Sequence, residues 1–321
     1  MARLLRGLGS QWRFQMAFRC LMVIFVGISS LYYSIRLLLA PNPWYISCMD
    51  KKRTKKTKSK TANKIKTGSL IKWNIVMAAL HALQGIVVLV LSKGGGWPIS
   101  TNYLTLDKVA EQAAGRPVLV QASQHLFDVN LAYLVAAFFF MSALAHGVIA
   151  TVYRKRYIAD LGKGINRARW VEYSFSASTM MVAIGLLSGI YDLSTLIMIF
   201  ALVHIMNLMG LVMEIHNQGA KKVNWLSYSV GTFAGIVPWI VFGLYVWGAT
   251  VYGAEGVPGF VYWIYLSIFL FFNCFAVNMY LQYKKKGKWA DYLYGERVYM
   301  ILSLVAKSAL AWQVFAGTLR P

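Results

Sequence analysis

The sequence predicts an all-α membrane protein with seven transmembrane helices, and three observations support this prediction. Of the 321 residues, 58% are hydrophobic, and the mean hydropathy is +0.52, which is typical of a polytopic membrane protein rather than a soluble domain. Seven apolar runs of membrane length follow one another along the chain. The basic residues behind the net charge of +22 lie in short segments between these runs, where they orient helices. Nucleic acid is therefore not expected as a partner, whereas a lipid bilayer is.

Two segments precede the predicted bundle. Residues 1–48 contain five arginines, no acidic residue and an apolar run over residues 21–40. Three interpretations stay open for this extension: a targeting segment, an extra membrane helix, or sequence upstream of a start at Met49. Residues 49–72 carry a lysine tract whose like charges repel each other, which predicts a disordered basic linker facing the membrane on its cytoplasmic side. The seven-helix domain is expected at residues 73–321.

Seven apolar runs predict the seven helices. Each run is about 20 residues or longer, enough to cross the hydrocarbon core at 1.5 Å per residue. Pro238 lies inside the fifth run and predicts a kink there. The predicted helices cover about residues 73–92, 126–153, 168–190, 192–215, 226–250, 258–283 and 294–318.

The long connection between the first and second runs predicts a short β-hairpin outside the membrane. Apolar residues alternate over residues 101–109 and again over residues 117–122, and glycines at 94–96 and 115 bracket the first segment. Alternation with a period of two is typical of strands, and glycines are typical of turns.

The charges of the connections predict the orientation of the bundle. Alternate connections are basic, while those on the opposite side are poor in basic residues, so positive-inside logic places the start of the first helix in the cytoplasm and Pro321 outside. The basic connections contain Arg154, Lys155, Arg156, Lys163, Arg167, Arg169, Lys221, Lys222, Lys284, Lys285, Lys286 and Lys288.

Motifs of soluble enzymes are not found in the sequence. It has no convincing internal repeat and no nucleotide-binding or zinc-hydrolase pattern. Its three cysteines, Cys20, Cys48 and Cys274, show no paired spacing, so neither a disulfide framework nor a metal site is expected. An enzyme is the least supported class.

Lys307 lies near the middle of the last apolar run, roughly 15 to 20 Å from either end at 1.5 Å per residue. A lysine at mid-membrane costs about 2.5 to 3.5 kcal/mol, so such a residue is usually buried, paired or modified. Two interpretations are equally supported by spacing alone. The amine forms a Schiff base with a carbonyl compound, or it pairs with a carboxylate in a transporter.

Three further polar residues fall in the same half of the predicted bundle. Glu172 begins the third run, and although residue count places it shallower than Lys307, the lysine side chain leans back toward its level. His81 and His146 join Glu172 in a predicted polar pocket beside the amine. For each histidine alone, a structural hydrogen bond between helices is the commoner role. Glu214, in the fourth run, is interpreted as structural.

The last three runs carry the clearest resemblance to a known family. The segments Trp170–Ser174, Gly235–Trp239, Val257–Tyr262, Gly287–Trp289 with Gly295–Arg297, and Leu302–Gln313 resemble heliorhodopsin. The resemblance extends from about Leu70 to the C-terminus. It implies a seven-helix bundle of rhodopsin type, an inverted orientation and a homodimer. It also implies all-trans retinal bound to Lys307 as a protonated Schiff base, Glu172 as its counterion, and His81 and His146 as pocket histidines.

Helical spacing adds further candidates for the site. Ser303 is four residues before Lys307, and Ser176 is four residues after Glu172, so each lies on the same helix face as its neighbour. Four aromatic residues are candidates to enclose the polyene, although packing is the commoner role of membrane aromatics. They are Tyr173, Trp239, Phe272 and Phe275.

Three function classes follow. The first is a light sensor in which retinal isomerisation drives a conformational signal to a cytoplasmic partner. The second is a light-driven or light-gated proton or ion transporter, which would need carboxylates in both half-channels; beyond Glu172 the predicted helix cores offer Glu214. The third is a light-independent transporter or scaffold, which would form no visible chromophore with retinal.

Overall fold

The computed structural model describes residues 57–93, 95–254 and 257–319, with the backbone alone for residues 57–67. The chain divides into a unit of residues 1–61 and a unit of residues 62–321, and the bundle and the site belong to the second. The expectations for residues 1–48 and for the orientation of Pro321 lie outside the described residues.

Seven long helices form the described part of the bundle, as the sequence predicted. They are α1 (Thr57–Leu91), α3 (Leu131–Ala150), α5 (Arg167–Leu187), α6 (Leu193–His216), α7 (Leu226–Tyr252), α8 (Gly259–Tyr283) and α9 (Tyr292–Val314). Two short helices, α2 (Lys108–Ala114) and α4 (Arg154–Leu161), lie in connections. A 3₁₀ turn (Gly287–Ala290) precedes α9, and a π-helical turn (Phe315–Leu319) follows it.

Six of these helices are long and apolar enough to cross a membrane, counted over the described residues. The exception is α5, because Glu172 and a series of serines lower the hydropathy of its first half. This is the helix that the sequence predicts as the third span. Helix α5 packs against both α3 and α6, which supports counting it as a transmembrane helix and brings the total among the described residues to seven.

The first helix begins earlier than predicted. Residues 57–72 were expected to be a disordered linker, whereas in the structure they are the first part of α1. Lysine and alanine have high helix propensity, and extending an existing helix costs far less than nucleating one. The apolar span therefore continues as a helix into the basic tract despite its charge repulsion.

The β-hairpin is present but longer than predicted. Strand β1 (Gly96–Leu106) pairs antiparallel with β2 (Leu119–Asn130), and the tip contains α2. Residues 126–130, predicted as the start of the second helix, belong to β2, because Phe127 and Val129 continue the period-two pattern opposite Ile99 and Trp97. The root of the hairpin is held at the α5–α6 turn, where the Ser100 N–H donates to the Tyr191 carbonyl at 2.9 Å.

A continuous apolar core fills the half of the bundle nearer the hairpin. It includes Phe138, Phe139, Met181, Ile184 and Phe242, each at most 2% exposed. The half of the bundle at which α5, α7 and α9 begin, here called the basic end, instead contains buried polar side chains. Pro238 lies buried inside α7, which continues through it.

Candidate functional site

Lys307 and Glu172 meet in the interior of the bundle. The side chain of Lys307, on α9, and that of Glu172, on α5, are 4% and 5% exposed, and Lys307 Nζ lies 3.1 Å from Glu172 Oε1. Lys307 Nζ also donates to Ser303 Oγ at 2.7 Å. The leaning of the lysine toward the start of its own helix brings the two residues to the same level, as expected from sequence.

Two serines complete the surroundings of the carboxylate. Ser176 Oγ donates to Glu172 Oε1 at 2.7 Å, and Ser142 Oγ, from α3, donates to the same atom at 2.6 Å. Ser142 was missed by the sequence reasoning. It lies four residues before His146 on one face of α3, and this spacing could have identified it.

The two predicted pocket histidines stack on each other beside this pair. Their ring centroids are 5.6 Å apart, with the planes 6° from parallel. His146 Nδ1 hydrogen-bonds to Asn74 Oδ1 at 2.7 Å, and Asn74 is a residue that sequence reasoning missed although it lies two helical turns before His81. Both ring nitrogens of His81 and Nε2 of His146 have no hydrogen-bond partner among the described residues. The polar pocket thus contains unused hydrogen-bonding capacity.

A cavity of about 140 Å³ opens beside Lys307 between α5, α6, α7, α8 and α9. All four predicted aromatic residues lie in its wall, and the centroid of the Tyr173 ring is 5.3 Å from Lys307 Nζ. The ring of Trp239 meets that of Phe272 at 73°, and the ring of Phe275 meets that of Tyr173 at 86°. Perpendicular rings pack favourably and leave flat faces along the cavity.

The residues of this cavity fit retinal. Attachment of a long conjugated aldehyde requires a primary amine, an apolar channel beside it and a carboxylate to balance the charge of the resulting imine. Lys307 contributes the amine to the cavity wall, the aromatic residues contribute the channel, and Glu172 lies within hydrogen-bond distance of the amine. Ser303 also lines the cavity.

A second buried polar cluster lies toward the basic end and was not predicted. Arg169 Nη2 donates to Glu214 Oε1 at 2.6 Å, and Arg169 Nη1 donates to Glu296 Oε1 at 2.8 Å. The guanidinium carbon lies 3.7 Å from the centroid of the Tyr299 ring. The three charged side chains are at most 6% exposed. Here they are called the Arg169 cluster.

This cluster corrects the sequence interpretation of Arg169 and gives detail to that of Glu214. Arg169 was counted with the basic connection, although the predicted third helix at residues 168–190 includes it. In the structure Arg169 lies buried inside α5, and Arg167, the first residue of that helix, pairs with Asp160. Glu214 joins α6 to α5 through Arg169 and to α9 through the Tyr292 hydroxyl. The sequence feature that could have revealed the Arg169 cluster is Glu296, an acidic residue in the first turns of the last span. A buried carboxylate implies a buried cation nearby.

The half of the bundle nearer the hairpin also contains polar contacts between helices. Gln313 Nε2 donates to Ser267 Oγ at 2.9 Å and joins α9 to α8. No aspartate or glutamate lies between Lys307 and the hairpin end of α9 in the described chain.

Comparisons with known proteins agree with this architecture. The family model described as Heliorhodopsin matches residues 70–319. Among solved structures, the transmembrane domain of Salpingoeca rosetta rhodopsin phosphodiesterase is similar at a TM-score of 0.56 with 14% sequence identity, covering 96% of this chain and 97% of that one. At that identity the likeness concerns the fold alone. No curated protein sequence matches the chain.

Proposed function

The chain belongs to the heliorhodopsin family, and on this premise we propose that it is a light-sensing retinal protein that converts illumination into a conformational signal. It is an integral, multi-pass membrane protein, and family membership supports a retinal-based photoreceptor function. The observation that carries the proposal is the buried contact of Lys307 with Glu172 at the wall of an aromatic cavity.

In this proposal Lys307 holds all-trans retinal as a protonated Schiff base and Glu172 is the counterion. A cation in a low-dielectric interior keeps its charge only when an anion lies close to it. Ser142 and Ser176 fix the position of the carboxylate oxygen, while Ser303 orients the amine nitrogen. His81 and His146 give the polar pocket its hydrogen-bonding capacity.

The aromatic wall holds the chromophore and excludes water from it. When bound, retinal supplies a polyene that absorbs visible light and isomerises. Tyr173, Trp239, Phe272 and Phe275 restrict that change of shape, so that strain passes into the helices that carry them, α5, α7 and α8.

Helices α5 and α9 are the elements that would transmit the signal. They are joined by the Lys307–Glu172 pair and by the Tyr173 hydroxyl, which donates to the Tyr299 carbonyl at 2.9 Å. Disturbing a buried charge pair shifts a two-state helix arrangement by a few kcal/mol. A change at Lys307 therefore biases the packing of α9 against α5.

Several finer features complete the proposal. Residues 73–321 form the retinal-binding domain, preceded by the extension at residues 1–48 and the basic segment at residues 49–72. The basic end faces the cytoplasm and a signalling partner, and the protein is a homodimer. We propose no enzymatic activity, because the similarity to the rhodopsin phosphodiesterase is to its transmembrane domain.

An ion transporter is the second candidate. It is favoured by the Arg169 cluster, which extends the buried polar groups from Glu172 toward the basic end. It is disfavoured because α9 carries no aspartate or glutamate between Lys307 and its hairpin end.

The deciding experiment is purification with all-trans retinal followed by an absorption spectrum. Wild type is expected to form a visible pigment, and Lys307→Ala is expected to be colourless. Lys288→Ala is the matched control, because Lys288 is exposed in the α8–α9 connection. A Lys307→Ala protein whose visible band shifts on acid denaturation like a Schiff base would refute the assignment, and a colourless wild type would favour a light-independent protein.

A further inference from the structure

A small cavity lies between Glu172 and the Arg169 cluster. Its volume is about 20 Å³, and its wall includes Asn74, His146, Asn166, Arg169, Glu172 and Glu296. A buried water requires about 10 to 15 Å³ and two to four polar partners. The cavity therefore has room for one water with polar groups on both sides, and it is here called the junction cavity.

Two residues of this wall have unused polar atoms. His146 is 7% exposed and Arg169 is 6% exposed, yet His146 Nε2 and Arg169 Nε have no hydrogen-bond partner among the described residues. Buried nitrogens of this kind are nearly always satisfied by protein or by water. One water in the junction cavity would serve both and would lie between the carboxylates of Glu172 and Glu296.

Glu214 and Glu296, here called the carboxyl pair, share one cation, Arg169. If both carboxyl groups were ionised, the Arg169 cluster would have a net negative charge. Glu214 accepts hydrogen bonds from Arg169 (2.6 Å), the Asn166 N–H (2.8 Å) and the Tyr292 hydroxyl (3.2 Å). Glu296 accepts from Arg169 (2.8 Å) and from Asn166 Nδ2 (2.6 Å). One guanidinium balances one carboxylate, so a second ionised carboxylate would be buried without a cation.

Arg169 is the cation that forms ion pairs with both carboxyl groups in the described part of the chain. The titratable groups that interact with the pair from the surrounding helices are Arg169 of α5, Tyr157 of α4, Tyr283 of α8, and Tyr292 and Tyr299 of α9. The tyrosines are neutral. When two nearby carboxylates have one cation between them, binding one proton removes the repulsion between their negative charges. The proton then titrates as a property of the pair and is not assigned to either residue.

We propose that Glu214 and Glu296 share one proton in the dark and that the pair delivers it to Glu172 through a single water in the junction cavity. Delivery follows when light moves the cation at Lys307 away from Glu172, so this step rests on the function proposed above. The O–H bond of the pair breaks, the water accepts that proton, and the water releases another proton to a Glu172 carboxylate oxygen. Glu172 becomes neutral, and the pair gains one negative charge.

The dark part of the proposal is tested by infrared spectroscopy without retinal. The full-length apoprotein is expected to show the C=O stretch of a protonated carboxyl group, which shifts when the protein is labelled with ¹³C-glutamate. Glu214→Gln and Glu296→Gln should each remove or shift that band, while Glu111→Gln, in the exposed hairpin helix, should not. The isotope shift assigns the band to glutamate rather than aspartate, so its absence in wild type is informative whether or not the glutamine variants fold. Absence of a glutamic-acid band in wild type would overturn the shared proton.

The transfer is tested on the pigment by light-induced infrared difference spectra. Illumination should remove the band of the pair and produce a new protonated-carboxyl band that is missing in Glu172→Gln. Asn74→Leu, which replaces a polar group of the junction cavity wall, should slow this exchange at least tenfold. A pigment that completes its photocycle with an unchanged band of the pair would overturn the transfer. The protein could show the protonated-carboxyl band without illumination and yet form no pigment with retinal. That result would count against the proposed function while supporting the shared proton.

Discussion

Lys307 Nζ lies 3.1 Å from Glu172 Oε1, although the two residues are 135 positions apart in the chain. The oxygen that contacts the amine also accepts hydrogen bonds from Ser142 and Ser176, so its position is fixed from α3 and from α5. Removing one partner of such a buried pair costs about 3 to 5 kcal/mol, because the remaining charge stays buried without compensation. The charge state of this pair is therefore the most sensitive property of the site.

Glu172→Gln is expected to make the imine at Lys307 lose its proton at lower pH. The glutamine keeps the size and the serine hydrogen bonds but removes the negative charge that stabilises the protonated form. At about 1.4 kcal/mol per pH unit, a loss of about 3 to 5 kcal/mol moves the midpoint down by about 2 to 4 units. A spectrophotometric pH titration of the pigment measures this shift, together with a displaced visible band.

Ser176→Ala serves as the graded control for that titration. It removes one hydrogen bond from the carboxylate and retains the charge, so its midpoint should move in the same direction by less than one unit. An unchanged titration and spectrum in Glu172→Gln would remove Glu172 from the counterion role and would point to a bound anion.

Gly210→Ala is expected to deform the cavity beside Lys307. A Cβ atom at Gly210 would overlap the indole ring of Trp170, which lines the cavity and is 6% exposed. Overpacking of this kind costs about 1 to 3 kcal/mol and displaces the ring. The variant should give less pigment or a shifted band after reconstitution with retinal.

The matched control is Gly248→Ala, on the exposed part of α7. A Cβ atom at Gly248 meets nothing within 4 Å. Pigment yield and absorption should match wild type, and thermal stability should be equal or slightly higher, since alanine is the better helix former. Equal spectra for Gly210→Ala and Gly248→Ala would show that Trp170 does not shape the cavity around retinal.

The orientation of the bundle is tested by cysteine labelling in intact cells. In a background without Cys20, Cys48 and Cys274, a membrane-impermeant maleimide should label Glu111→Cys in the hairpin. It should label Lys222→Cys, in the basic α6–α7 connection, after the membrane is opened. This result follows from positive-inside logic. The reverse pattern would overturn the proposed cytoplasmic position of the basic end.

Much of the fold was predictable from sequence because it depends on local patterns. Apolar length and alternate basic connections predicted the seven helices, and period-two alternation predicted the hairpin. The boundary at residue 126 was wrong because Phe127 and Val129 suit both a strand and a membrane helix. The start of α1 was wrong because repulsion between lysines was given more weight than helix propagation.

The site was only partly predictable because its contacts join distant helices. Lys307 and Glu172 were identified because a buried charge is unusual in any membrane helix. Ser142 and Asn74 are ordinary helix residues whose role arises from the neighbours that they face. Arg169 was counted with a basic connection because it lies near the start of its helix, where charge patterning does not show whether an arginine is exposed or buried.

Illumination is expected to produce no sustained ionic current across a membrane containing the protein. A proton pump requires an acceptor and a release path on opposite sides of the imine, with affinities that change in sequence. The described chain instead places Glu172 beside Lys307 and the Arg169 cluster farther toward the basic end. A proton that leaves the imine can therefore be held by these polar groups and return to the imine along the same route. Whole-cell recording under illumination measures the outcome, with Lys307→Ala as the control for light artefacts. A reproducible photocurrent in wild type that is abolished in Lys307→Ala would make the transporter the better assignment.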